Sequence, residues 1–307
     1  MSFGDEFLRH PDLFPGRRSG EPWGPESLTL DVPGGPYRFS GLSASQVSAL
    51  ELRFGGLCRP TNEGGIATAV FRAPATDFRD VDTRGWEYTL DLDHAPTSVR
   101  IAGLRLMARL DWAPDLQGGL WTPEAAGEEW TSVLENYLRL LAAYRLAAAG
   151  GVLLHSAGVT DGESAWLLLG PAGAGKTTAS RLCLAAGAEV LSDDLNAVIV
   201  KGGGPVVAKL PFTGDLGERR GTPGEPADFR LMGLLRLRQG DRESLVALSS
   251  ASALAALLAA APYANRDPFR REALLAVCER LARSVPAWEL TFSLGADLWS
   301  ILRTVSK

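Results

Sequence analysis

The stretch Leu167–Leu182, LLLGPAGAGKTTASRL, constrains the fold more than any other part of the chain. An apolar run of buried-strand type, Ala165 to Leu169, leads into a glycine loop. Leu182, Leu184 and Ala185 then recur at roughly helical spacing before Gly187 stops the run. Strand, glycine loop and helix in that order predict an α/β layer with the loop at the end of a strand. Gly170 to Thr177 matches G-x-x-x-x-G-K-[ST] at every fixed position. The chain has only four lysines (Lys176, Lys201, Lys209, Lys307), so one at the required place carries weight.

A loop that wraps a polyphosphate must turn several backbone N–H groups inward, and glycines permit the conformations this takes. Gly170, Ala172, Gly173, Ala174 and Gly175 would line such a cradle, and Lys176 would reach the β- and γ-phosphate oxygens. The Thr177 hydroxyl would ligate Mg²⁺, Thr178 would donate to an α-phosphate oxygen, and the helix would present its positive end to the anion. ATP and Mg²⁺ are the expected cofactors.

With 46% hydrophobic and 22% charged residues, the 307-residue chain has the composition of a soluble globular protein of one large domain or two smaller ones. A formal charge of −5 argues against general nucleic-acid binding, which needs a basic face. Cys58, Cys183 and Cys278 lack C-x-x-C spacing, so neither a zinc site nor a disulfide framework is predicted. The polar, proline-rich opening lacks the pattern of a signal peptide, and no apolar run reaches membrane-spanning length; a cytoplasmic location with no membrane is expected.

Three segments are predicted: a loose arm over 1–24, a mostly β unit over 25–127 and an α/β unit over 128–307. Strands are expected at SLTLDV, PYRFSGL, ATAVFR, WEYTLDLD and VRIAGLRLMARLDW, the last interrupted by Gly103. Helices are expected after Ser43 or Ser45 and over Glu129–Ala149, where Val133, Tyr137, Leu140, Leu141 and Tyr144 form one stripe. Further strands follow in AEVLSDDL, NAVIV, VVAKLPF, LMGLLRL, SLVALS and AWELTF, with helices over 252–261, 268–284 and 297–305.

Asp193 and Asp194 end the strand AEVLS, one helix and one strand beyond Lys176, which would return them to the phosphates. One carboxylate can hold Mg²⁺ and the other can take a proton from an incoming hydroxyl; a solvated turn is the bland alternative. His155, on the strand before the loop, is either a core histidine or a participant in proton handling.

The residues HSAGV…WLLLGPAGAGKTT…AEVLSDDL resemble the catalytic domain of HPr kinase/phosphorylase and its related kinases, whose nucleotide fold is similar to that of phosphoenolpyruvate carboxykinase. The resemblance covers about residues 150–200. It implies a P-loop domain with a mixed sheet, Asp193 as the general base that activates a serine hydroxyl, Asp194 as a Mg²⁺ ligand and His155 as support for the base. The family's later E-x-R-G signature contains a Mg²⁺-binding glutamate. GERRG offers Glu218 and Arg220 for that place, or forms a solvated loop.

The residues before 128 are unlike the N-terminal domain of the bacterial HPr enzyme, which directs attention from HPr to the related kinases that modify peptides in biosynthetic clusters. The expected activity is ATP- and Mg²⁺-dependent transfer to a serine-type hydroxyl of a protein or peptide. A small-metabolite kinase and a non-catalytic nucleotide-binding regulator are the alternatives, and a homo-oligomer is left open. Outside this constellation, Asp91 to His94 have metal-ligand chemistry, but Glu87, Thr89, Asp91 and Asp93 alternate with Trp86, Tyr88, Leu90 and Leu92, so the acids most simply form the wet face of a strand. Trp112, Trp121 and Trp130 offer either an exposed platform for a peptide or packing.

Overall fold

The computed structural model describes residues 20–59, 65–78, 90–112, 115–123, 130–212, 214–217 and 227–305. Two units divide the chain, Met1–Leu141 and Ala142–Lys307.

The first unit starts with β1 (Glu21–Pro22), β2 (Glu26–Leu30) and β3 (Tyr37–Leu42). Tyr37, Phe39 and Leu42 are buried. Ser43 then closes a capping box, its hydroxyl accepting from Gln46 N while Gln46 Oε1 accepts from Ser43 N, and α1 (Ala44–Phe54) follows. β4 (Cys58–Arg59), β5 (Ile66–Ala73), β6 (Asp91–His94), β7 (Ser98–Gly103), β8 (Leu106–Asp111) and β9 (Gln117–Pro123) come next. The described residues form a nine-stranded sheet in the order β4-β2-β3-β5-β9-β8-β7-β6, with β1 also on β5. The β3–β5 and β5–β9 pairs are parallel.

Gly103 does more than interrupt one long strand. The chain reverses there, with Gly103 opposite Leu106 and Arg105 at φ 54°, and β7 and β8 form a hairpin. Asp93 pairs with Arg100, its cross-strand partner, so its charge is neutralised within the sheet. Trp121 stacks on Phe71 at 5.1 Å and is buried, as is Trp130, so they form no exposed platform.

β9 is absent from the sequence expectation because its glycines mimic a loop. They are there for space: in α2 (Trp130–Ala148), Tyr137 places its hydroxyl 3.0 Å from Thr68 Oγ1, and a Cβ on Gly118 would lie 2.0 Å from that hydroxyl. Gly118→Ala is therefore expected to destabilise the protein by roughly 2–3 kcal/mol in urea titration, from overpacking plus a broken buried hydrogen bond. A Cβ on Gly203 meets nothing within 4 Å, and Gly203→Ala should stay within about 0.5 kcal/mol of the parent.

The second unit contains β10 (Val152–Thr160), β11 (Ser164–Leu169), α3 (Lys176–Ala185), β12 (Glu189–Ser192), β13 (Leu195–Lys201) and β14 (Gly204–Ala208). A helical turn α4 (Gly214–Gly217), β15 (Asp228–Gln239), β16 (Ser244–Ala247), α5 (Ser250–Ala260), α6 (Arg271–Ser284), β17 (Ala287–Phe292) and α7 (Leu298–Thr304) complete it. The fold is α/β with mixed sheets.

In the eight-stranded sheet of this unit, β11, β10, β13, β14 and β15 follow one another and β15 pairs back with β11, closing a ring. β17 and β16 extend from β15. β11, β15 and β17 are mutually parallel, so Leu169, Gln239 and Phe292 finish at the same end of the sheet. Trp166, Leu168, Leu235, Leu237, Leu290 and Phe292 bury one face beneath α3 and α7. Trp166 meets Trp299 edge to face at 5.3 Å. Among the described residues, no helix is long and apolar enough to cross a membrane.

Candidate functional site

β11 is buried almost throughout and delivers the chain to Gly170 at the shared carboxyl end of the parallel strands β11, β15 and β17. Gly173 and Gly175 take φ of 77° and 96°, left-handed values at which a side chain is strained. Lys176 opens α3 and is 7% exposed. Its ammonium donates to Gly170 O at 2.9 Å and Pro171 O at 3.3 Å, so it curls over its own loop. Burial pushes its pKa down from the usual 10.5, and the negative charge of Asp194 opposes that shift.

The acids are placed by β10. Gly158 faces Ser192 and His155 faces Leu195, and Ser156 N donates to Asp194 O at 3.0 Å. Asp193 and Asp194 thus occupy a bend between two strands that share one partner. Ser192 closes the bend: its hydroxyl accepts from Asp194 N and Leu195 N, each at 3.1 Å, and donates to Phe212 O at 3.0 Å. Asn196 Nδ2 donates to Ser156 O at 2.7 Å and pins the far side. Neither Ser192 nor Asn196 stood out in the sequence; a serine at the head of a turn, able to accept from the N–H two residues on, is a signal that could have found the first.

Asp193 is 7% exposed, and its Oδ1 accepts from Leu216 N at 3.2 Å. Gly214 lies so close that a Cβ there would stand 2.3 Å from the same oxygen. Asp194 is more open, and its Oδ1 lies 3.2 Å from His155 Nδ1. The resemblance implied a histidine supporting Asp193, but His155 meets Asp194. The register explains this, because His155 lies opposite Leu195, next to Asp194, while Asp193 turns beneath α4.

His155 and Asp194 are thereby brought together, with Asp193 next in the bend, and the negative charge of Asp194 acts on the Lys176 ammonium. Glu218 and Arg220 lie outside the described residues. Among the described residues, no cluster of three or more His, Cys, Asp or Glu side chains could hold a metal. Mg²⁺ takes only one or two protein oxygens when phosphates supply others, and Thr177 and Asp194 suit that demand. The cysteines are poor nucleophiles, since burial pushes Cys183 and Cys278 up to about 12, and burial with Glu51 nearby pushes Cys58 up to about 11.

These features define an α/β protein with a glycine loop and an acid pair at the end of one sheet. A family model described as "ScmC: SynChlorMet cassette protein ScmC" matches residues 126–307, more than half of the chain, and the protein belongs to that family. No curated protein matches the chain.

Proposed function

We propose that the chain is an ATP- and Mg²⁺-dependent kinase with a P-loop domain of HPr kinase/phosphoenolpyruvate carboxykinase type, acting on a serine-type hydroxyl of a protein or peptide. The observation that carries this proposal is that β10 joins the two parts of the site: Ser156 faces Leu169, which leads into the glycine loop, and its N–H donates to Asp194 O at 3.0 Å. Phosphoryl transfer depends on positioning and charge neutralisation more than on covalent chemistry of the protein, and these residue types serve both.

In this mechanism Lys176 and the inward N–H groups of the loop bind the β- and γ-phosphates. Thr177 and Asp194 would hold Mg²⁺, which would supply neutralisation of charge on the phosphate oxygens. His155 orients the Asp194 carboxylate. Leu216 N–H occupies one oxygen of Asp193, and the other takes the proton of the acceptor hydroxyl. The acceptor oxygen forms its bond to the γ-phosphorus as the bond to the β-phosphate bridge breaks, and ADP leaves.

The family's description as a cassette protein directs the search for the acceptor to the products of neighbouring genes. Incubation of the chain with γ-labelled ATP, Mg²⁺ and those products should place label on a serine-type residue, located by mass spectrometry. ATP binding with no labelled product from any neighbour would leave a nucleotide-binding protein without transfer, and absence of ATP binding would end both readings.

A further inference from the structure

The geometry points to Gln239 and Phe292 as positioning residues that hold the glycine loop shaped for a nucleoside triphosphate, a role that rests on the proposed nucleotide binding. Both come from outside the motif, at the ends of β15 and β17, where they are cross-strand partners. Leu235, Leu237 and Phe292 bury the face beneath α3. Gln239 lies two residues beyond Leu237 and so stands on the same face, under the point where the loop turns into that helix.

Each grips a different peptide. Gln239 Nε2 donates to Gly173 O at 2.8 Å. A trans peptide sends its C=O and N–H in opposite directions, so the bond that draws Gly173 O outward aims Ala174 N–H into the loop. That N–H reaches Pro171 O at 3.1 Å, the oxygen that also takes Lys176 Nζ at 3.3 Å. Two donors suited to a phosphate oxygen thus already converge on a single carbonyl oxygen. On the other side, the Phe292 ring lies against Gly175, where a Cβ would stand 3.0 Å from Phe292 Cζ. The ring backs the left-handed turn that starts α3.

The loop's shape is therefore set from strands that follow it in sequence, and binding does not have to supply that ordering. Gln239 is exposed, so changing it does not disturb the core. Gln239→Met keeps the length and removes the donor. In the nucleotide-free protein, amide exchange at Ala174 should quicken about three- to tenfold, the scale of one lost hydrogen bond. The KM for MgATP should rise by a similar factor with kcat within about twofold, because ground state and transition state lose the same preorganisation. The urea midpoint should not move.

Unchanged exchange together with unchanged KM overturns the assignment, as does a fall in kcat at constant KM. Because the exchange measurement needs no nucleotide, quickened exchange in a chain that binds no ATP would uphold the brace and reject the kinase reading separately.

Discussion

A Lys176→Ala chain should bind MgATP at least about a hundredfold more weakly than the parent, since charge-assisted hydrogen bonds contribute roughly 1.5–3 kcal/mol each and a lysine spanning two phosphates makes more than one. Lys176 is 7% exposed and its ammonium is already directed at loop carbonyls, so little ordering remains for the ligand to impose. Loss of binding should occur without loss of fold. Burial lowers the folded-state pKa of Lys176, so at neutral pH the folded chain bears a cost for keeping this group charged. Alanine removes that cost along with the hydrogen bonds to Gly170 and Pro171, and the urea stability of the apo protein should change by less than about 1 kcal/mol. Isothermal titration with MgATP beside a urea melt checks both halves. A dissociation constant within threefold of the parent would mean that the loop does not hold the triphosphate.

The glycine loop was legible in the sequence because its requirements are local: a left-handed backbone at Gly173 and Gly175 and a lysine at the first position of the helix. The nearness of the acid pair was legible for a related reason, since a strand that returns beside β10 must bring its tip back near the loop. What escaped notice depends on partners distant in sequence. Gln239 is an unremarkable polar residue until the strand pairing puts it under Gly173. β9 hides behind glycines whose reason is the Tyr137 hydroxyl on a helix not yet formed at that point in the chain. The partner of His155 could not be chosen by spacing either, because one residue of register decides between Asp193 and Asp194.

The two acids should separate when each is replaced by its amide. Asp193→Asn preserves shape, and the new amide oxygen can still accept from Leu216 N, so the bend and the nucleotide affinity should stay within about threefold of the parent. Transfer should fall by about a hundredfold or more, the usual contribution of a general base. Asp194→Asn instead removes a negative charge beside both Lys176 and His155. Affinity for MgATP should fall about tenfold or more, while binding of metal-free ATP should change far less, because the lost group acts on the cation. Titrating each variant with ATP in the presence and absence of Mg²⁺, then measuring single-turnover transfer, makes the comparison complete. If Asp193→Asn loses metal-dependent binding and transfer together, the two roles are exchanged, and the carboxylate that His155 orients is the one that meets the acceptor. If Asp193→Asn transfers phosphate at the parental rate, the buried carboxylate serves only to anchor α4, and the proton must leave by another route.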